Sequence, residues 1–178
     1  MNNNEINNLK LIGKNEEDLK IISAYLQDSV VIAKNIIYLK KNKTFIMIVN
    51  RFMWEDVEKG IFRRNKRIKC AVRFEDVVSV KSRNINQKNN KKPLEYLAIR
   101  SRLDSNSLYK IKIFFSGGGI ITINSEAIEV FLNDLGKPWN VKYFPLHKIS
   151  FIPPWLWEDI IGTPIYAAST TELGNPSK

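Results

Sequence analysis

Short apolar runs separated by turn residues fill the middle of the chain, and they limit the fold more than any other feature of the sequence. In the run over residues 44–50, Phe45, Met47 and Val49 alternate with isoleucines, so both faces are apolar and we expect both to be covered. The segments between the runs are too short for the helical crossovers that parallel strands need. The pattern therefore predicts an antiparallel meander, with short β-branched runs over 30–33 and 36–39 and strands over 44–50, 68–74, 77–82, 96–102, 109–115 and 120–124.

The last two of these runs flank a cluster of glycines. In the run over 109–115, one face is apolar, while Lys110 and Lys112 point away from it. A phosphate-binding loop needs glycines that open into a helix, whereas the glycines at 117–119 lie between two strands. We therefore interpret them as a turn in which glycine supplies positive φ angles.

Two helices are predicted, one on each side of the strands. The first covers about 15–28, with Asn15 as N-cap, acidic residues in the first turn, and Leu19, Ile22 and Leu26 on one face. The second covers about 125–135. Its apolar residues recur at helical spacing, and Gly136 and then a proline follow its end, where a helix commonly stops.

The order of elements predicts an α+β fold: an N-terminal helix, about seven antiparallel strands in a partly closed barrel or strongly twisted sheet, and a C-terminal capping helix. Element order alone makes this similar to the pleckstrin-homology-like arrangement. We expect one domain over 1–139. Residues 140–178 are rich in proline and aromatic residues and predict an arm with a disordered end, which packs on its own domain or on a partner.

The residue counts exclude several classes of function. The chain has one cysteine, Cys70, and one histidine, His147, so neither a disulfide framework nor a Cys/His zinc site is expected, and we predict no cofactor. Cys70 shares a strand face with apolar residues, which favours a buried thiol over a nucleophile. The sequence shows neither a secretory signal nor a transmembrane stretch, so we expect a cytoplasmic protein that does not contact membranes.

Positive charge is concentrated in the middle of the chain. The net charge is +10, but residues 34–112 carry 21 lysines and arginines against seven acidic residues, while both flanking parts are slightly acidic. Such a distribution indicates a positive face for an anionic partner. The alternative is codon drift in an AT-rich genome, which accumulates lysine, asparagine and isoleucine without any ligand.

Several stretches together resemble a known family. They are LKLIGKNEEDLKIISAYLQDSVV (9–31), NRFMWE (50–55), AVRFEDVVSVKSRNI (71–85), LAIR (97–100) and FSGGGIITINSEAIEVFLNDLGKPW (115–139). In order and spacing they are similar to the alphaproteobacterial domain-of-unknown-function family 2948 over about residues 9–139. The resemblance implies a bacterial cytoplasmic protein, or an organelle protein of that descent, and it implies no activity. Members commonly stop soon after the equivalent of Pro138 and Trp139, so the last 40 residues lie outside it.

Three groups of residues are candidates for binding. Arg51 and Trp54 end a predicted strand, where they form an anion or base contact or, alternatively, Arg51 pairs with Glu55 while the aromatic rings close the barrel mouth. A second group is basic and is either a phosphate-binding region or a solvated loop: Lys59, Arg63, Arg64, Lys66, Arg67 and Lys69. The third group is Trp155 and Trp157 in the arm, where aromatic side chains suit a protein partner.

These observations favour a small binding or adaptor module without a catalytic constellation, and its partner is expected to be another protein. The first alternative is a nucleic-acid-associated protein that uses the basic 59–69 region. The second alternative is a sensor or enzyme for a small anion held at the strand end near Arg51 and Trp54. Neither the partner nor the oligomeric state follows from the sequence.

Overall fold

The computed structural model describes residues 8–57, 65–86, 91–142 and 145. The chain separates into two compact units, Met1–Pro145 and Leu146–Lys178, and all described residues belong to the first. The predicted boundary between 139 and 140 stays a prediction. The arm with Trp155 and Trp157 lies outside the described residues.

The described part of the chain is mainly β-structure. Helix α1 spans Glu16–Tyr25, and a single helical turn, α2, spans Trp54–Val57. Nine strands accompany them: β1 (Lys10–Gly13), β2 (Val30–Leu39), β3 (Thr44–Phe52), β4 (Lys66–Phe74), β5 (Val77–Arg83), β6 (Pro93–Leu103), β7 (Tyr109–Phe115), β8 (Ile120–Ser125) and β9 (Val130–Asn140).

The nine strands form one antiparallel sheet in the order β1-β9-β4-β3-β2-β6-β7-β8-β5. The antiparallel fold class is therefore confirmed, but the expected count of about seven strands is wrong. Partial closure into a barrel is also corrected, because β1 and β5 end an open sheet among the described residues. The two runs over 30–33 and 36–39 form one strand, β2, whose pairing with β3 shifts register between Val31 and Ile36.

The predicted C-terminal helix over 125–135 is wrong, because this segment forms β9. Val130, Leu132 and Asp134 alternate inward along β9 and are at most 6% exposed, while the residues between them face outward. Helical spacing of the apolar residues was compatible with either structure, and pairing with β1 and β4 selects the strand. Gly136 has a φ of 74° where the β4–β9 register shifts, so it accommodates a bulge and does not end a helix.

The N-terminal helix and its N-cap Asn15 are confirmed, but the helix ends at Tyr25 and not near residue 28. The Asn15 side chain accepts a hydrogen bond of 2.8 Å from the backbone N–H of Asp18, and three acidic residues occupy the first turn. Leu19, Ile22 and Leu26 are at most 1% exposed and join the single core. The helix therefore packs its apolar face onto the core side of the sheet.

Among the described residues, the main core cluster lies on one face of the sheet. Phe45, Met47 and Val49 of β3 are buried, as expected, but Ile46 and Ile48 on the opposite face are half-exposed, so the prediction that both faces are covered is corrected. A hydroxyl pair fixes α1 to β6, since Ser23 Oγ lies 2.7 Å from the Tyr96 hydroxyl. None of the helices in the described ranges is long and apolar enough to cross a lipid bilayer.

Removal of the N-cap tests how α1 contributes to stability. We expect Asn15→Ala to lower the free energy of unfolding by about 1 kcal/mol, because the Asp18 N–H loses its acceptor. Urea denaturation followed by circular dichroism measures the change. Asn15→Ser, which keeps a capping oxygen, should retain most of the stability; equal losses in both variants would contradict the capping role.

Candidate functional site

Arg51 is placed in the interior. It follows Val49 on the inward-facing side of β3 and is fully buried. Nε and Nη2 donate to the two carboxylate oxygens of Asp134 at 2.7 and 2.6 Å. Nη1 and Nη2 donate to the carboxylate of Glu55 at 3.0 and 2.7 Å, and Nη1 also reaches the Phe52 carbonyl at 3.4 Å. All five N–H groups of the guanidinium are therefore engaged within the protein.

These contacts explain the charge state of Arg51. Burial alone lowers the pKa of the guanidinium, but hydrogen bonds and charge from Asp134 and Glu55 together outweigh it, so the pKa lies above its ordinary value. The side chain is a permanent cation held by two carboxylates. The alternative in which Arg51 pairs with Glu55 is thus present in the structure, and an external anion would have to displace bonds that already exist.

Two other candidates, Trp54 and Arg67, lie at the same end of the sheet and contact the turn after α1. Trp54 Nε1 donates to the Gln27 carbonyl at 3.0 Å, and the centroid of its ring lies 4.8 Å from that of the buried Phe52 ring. Arg67 Nη1 donates to the carbonyls of Asp28 and Asn50, both at 2.9 Å. Burial lowers the pKa of Arg67 despite nearby carboxylates. Both side chains therefore hold backbone segments together at this end.

The structure does not bring the whole predicted basic cluster together. Lys66 is half-buried at the start of β4, and Lys69 is exposed on the outer face of the same strand. Lys59, Arg63 and Arg64 lie outside the described residues, as do His147, Trp155 and Trp157. The role predicted for these residues stays a prediction.

A different set of cations forms a surface that the sequence did not single out. On the outer face of β6, β7, β8 and β5, residues directly opposite each other form three rows of four positions. The rows are Arg102, Lys110, Asn124 and Ser79; Arg100, Lys112, Thr122 and Lys81; and Ala98, Phe114, Ile120 and Arg83. We call its six charged residues the cationic sheet face: Lys81, Arg83, Arg100, Arg102, Lys110 and Lys112.

Like charges lie directly opposite each other on this face. Arg100 pairs with Lys112, and Arg102 pairs with Lys110, across the β6–β7 ladder. No carboxylate occupies any of the twelve described positions of the three rows. Cross-strand pairs of like charge are unfavourable in a sheet, and the ion pair between Lys110 and Asp104 offsets part of that repulsion.

Two contacts involve residues of the cationic sheet face. At the β6–β7 turn, Lys110 Nζ forms an ion pair of 2.7 Å with Asp104, and that hydrogen bond lowers the pKa of the Asp104 carboxyl. The Arg100 guanidinium lies 5.9 Å from the centroid of the Phe114 ring, which is half-exposed on the same face. The face thus combines cations with one aromatic ring.

Comparison with known proteins adds the family. The family model described as "Protein of unknown function (DUF2948)" matches residues 9–147. The chain belongs to this family. No curated protein and no solved structure matches it. The resemblance seen in the sequence is confirmed, whereas the alphaproteobacterial origin and the cytoplasmic location stay predictions.

The described part of this DUF2948 protein contains neither a cluster of metal-ligating side chains nor an ionised cysteine. No group of three or more His, Cys, Asp or Glu side chains is arranged to hold a metal ion in that part. Cys70 is fully buried on β4, and burial, with a contribution from the charge of Asp134, raises the pKa of its thiol to about 12. At neutral pH the thiol is protonated and behaves as a small apolar group.

The ion cluster around Arg51 predicts a large loss of stability on Asp134→Ala. We expect the free energy of unfolding to fall by about 3 kcal/mol, because a fully buried cation loses one of its two partners. Urea denaturation measures this. The matched control is Glu126→Ala, which breaks the exposed Lys43–Glu126 pair and should leave the midpoint nearly unchanged. Similar midpoints for the two variants would contradict a dominant role for the cluster.

The burial of Cys70 predicts its reactivity with an aromatic disulfide reagent. Because the thiol is buried and protonated, we expect almost no reaction in native protein at pH 8 and complete reaction in urea. The chain has a single cysteine, so the absorbance change counts one site. Rapid labelling of native protein would show that the β4 thiol is accessible.

Proposed function

We propose that this protein is a binding module without a catalytic role and that it binds nucleic acid through the cationic sheet face. The supporting observation is the arrangement of six cations over four adjacent strands, with like charges opposite each other and no carboxylate within the three rows. A polyanion that covers this face would remove the repulsion that the folded chain carries by itself.

The dimensions of the face suit a phosphate backbone. Neighbouring strands lie about 4.8 Å apart, so the row from Arg100 through Lys112 to Lys81 extends about 14 Å across the sheet. Successive outward residues on one strand are about 7 Å apart. Several phosphates of one nucleic acid strand can therefore contact the face at once, which gives binding its strength and its salt dependence.

The chemistry of the side chains favours nucleic acid over a simple anion. The guanidinium groups of Arg83, Arg100 and Arg102 can donate two parallel hydrogen bonds to a phosphate. Phe114, beside Arg100, offers one surface on which a base can stack. The six cations of the face would contact phosphates, and Phe114 is its one group that would contact a base. We therefore expect the protein to show little preference for nucleotide sequence.

The sequence already suggested nucleic acid as an alternative partner, but it placed the binding residues in the 59–69 region. Arg67 of that region donates to two backbone carbonyls, and Arg51 nearby is fully engaged by carboxylates, so neither is well placed to receive a phosphate. For the same reason we do not develop a small-anion site at Arg51.

The test is fluorescence anisotropy with a labelled 20-nucleotide single strand of thymidylate, titrated with the full chain at several salt concentrations. We expect log Kd to rise linearly with log salt. The double variant Arg100→Gln/Lys112→Gln removes two adjacent cations of the central row. It should weaken binding at low salt and reduce the magnitude of the salt slope by about 1.5, since each phosphate contact contributes about 0.7–0.9.

The matched control is Lys14→Gln/Lys20→Gln, which removes the same charge from exposed positions at and just before α1. It should leave both the affinity and the slope close to those of the wild type. Equal effects of the two double variants would show that net charge alone drives binding. Binding without salt dependence would contradict the proposal directly.

A further inference from the structure

A half-open cavity of about 400 Å³ lies between β2 and β5. Its lining combines apolar side chains with polar groups: Ile36, Phe45, Val80 and Ile121 with Lys34, Tyr38 and Ser82. A group the size of a water molecule occupies about 30 Å³, so the cavity has room for about a dozen non-hydrogen atoms, or two or three aliphatic side chains. Its volume falls within the range of ligand-binding pockets.

Two strand edges border this cavity. The ladder between β2 and β6 covers only Val30–Ile32, so from Ala33 onward that edge of β2 has no neighbouring strand in the described part of the chain. β5 is the last strand of the sheet, and its single partner is β8. Edges of this kind present backbone donors and acceptors on which another extended chain can pair.

One end of the gap is already closed by the protein itself. The Tyr38 hydroxyl lies 2.9 Å from the Val78 carbonyl and 3.2 Å from the Val77 carbonyl, to which it can donate. The Val77 N–H donates to the Lys43 carbonyl at 2.7 Å. The strands are therefore fixed at this end, and the opening lies between Ala33 on one side and the later residues of β5 on the other.

The described residues of three segments that border the opening carry only positive charges. Lys34, Lys81 and Arg83 are exposed on the two strands, and Lys91 and Lys92 immediately precede the residue of β6 that pairs with Ile32. No acidic residue occurs in the described segments 30–43, 77–86 and 91–94. An occupant with negative charge outside and apolar groups inside would match this surface.

We propose that the opening binds an extended acidic–apolar peptide of a partner protein as an added strand. Successive side chains of a strand point to opposite faces, so alternate apolar residues would enter the cavity while acidic residues between them meet the marginal cations. The backbone of the peptide pairs with the edges of β2 and β5. Lys81 and Arg83 border both surfaces, whereas Ala33 and Lys34 belong to this site alone, so substitutions at these two positions test it separately.

The first experiment uses fluorescein-labelled, acetylated heptapeptides and the full chain. In the first peptide, glutamate and leucine alternate, beginning and ending with glutamate. The second has the same composition with its three leucines adjacent, and in the third lysine replaces glutamate. We expect the alternating acidic peptide to bind at least tenfold more tightly than either control, because only it matches both the two-residue period and the charge. Equal affinities for the two acidic peptides would overturn the proposal.

The second experiment uses variants of the protein. Ala33→Trp fills the opening and should weaken binding of the alternating peptide at least tenfold, whereas Ala71→Trp, on the outer face of β4, should not. Lys34→Glu keeps the cavity and reverses one marginal charge. It should weaken binding several-fold, while Lys20→Glu on α1 leaves it unchanged.

Nucleic acid binding by the same variants separates this proposal from the previous one. Ala33→Trp and Lys34→Glu should keep most of the affinity for the thymidylate strand, and circular dichroism shows independently whether each variant is folded. If Ala33→Trp fails to fold, Lys34→Glu with its Lys20→Glu control decides the outcome. Peptide binding that survives Lys34→Glu and a folded Ala33→Trp would overturn the peptide site without affecting the cationic sheet face.

Discussion

The ion cluster around Arg51 is the constraint on which this end of the fold depends. A guanidinium that is fully buried is tolerated only when each of its donors is bonded, and here five donors find acceptors on three segments of the chain. Asp134 comes from β9, Glu55 from the turn α2, and Phe52 from β3 itself. The cluster therefore joins elements that are more than 80 positions apart in sequence.

Asp134 also fixes the edge of the sheet. Its carboxylate accepts a hydrogen bond of 3.0 Å from the Leu9 N–H, while its own N–H donates to the Leu9 carbonyl at 2.9 Å. The same residue thus neutralises Arg51 and aligns the start of β1 with β9. If β9 shifted by one residue, the carboxylate would face solvent and leave a buried cation behind.

This arrangement explains where reading of the sequence succeeded and where it failed. Local signals were sufficient for α1, because its cap and its apolar face lie within a dozen residues, and two-residue alternation identified most of the strands. The helix predicted over 125–135 was wrong because Asp134 faces the core of the protein. A pattern of apolar and polar residues assigns an aspartate to the surface instead. The burial of Asp134 depends on Arg51, a distant residue, and without that knowledge Ile128, Phe131 and Leu135 fit a helix equally well.

The candidate sites show the same division between local and distant information. The sequence indicated that Lys110 and Lys112 point away from the apolar face of their strand. It could not show that Arg102 and Arg100 lie directly opposite them, because strand register is set by the whole sheet. Arg51, by contrast, was a candidate binding residue because of its chemistry. In the structure its guanidinium is held by two carboxylates of the protein.

The two ends of the open sheet also bear on edge-to-edge pairing between copies of the chain. β1 is only four residues long, which gives another chain little edge to extend. β5 is longer, but Lys81 and Arg83 stand along it and Lys34 lies across the gap. Edge-to-edge pairing of two copies through β5 would bring these cations together, so their repulsion opposes that mode of self-association.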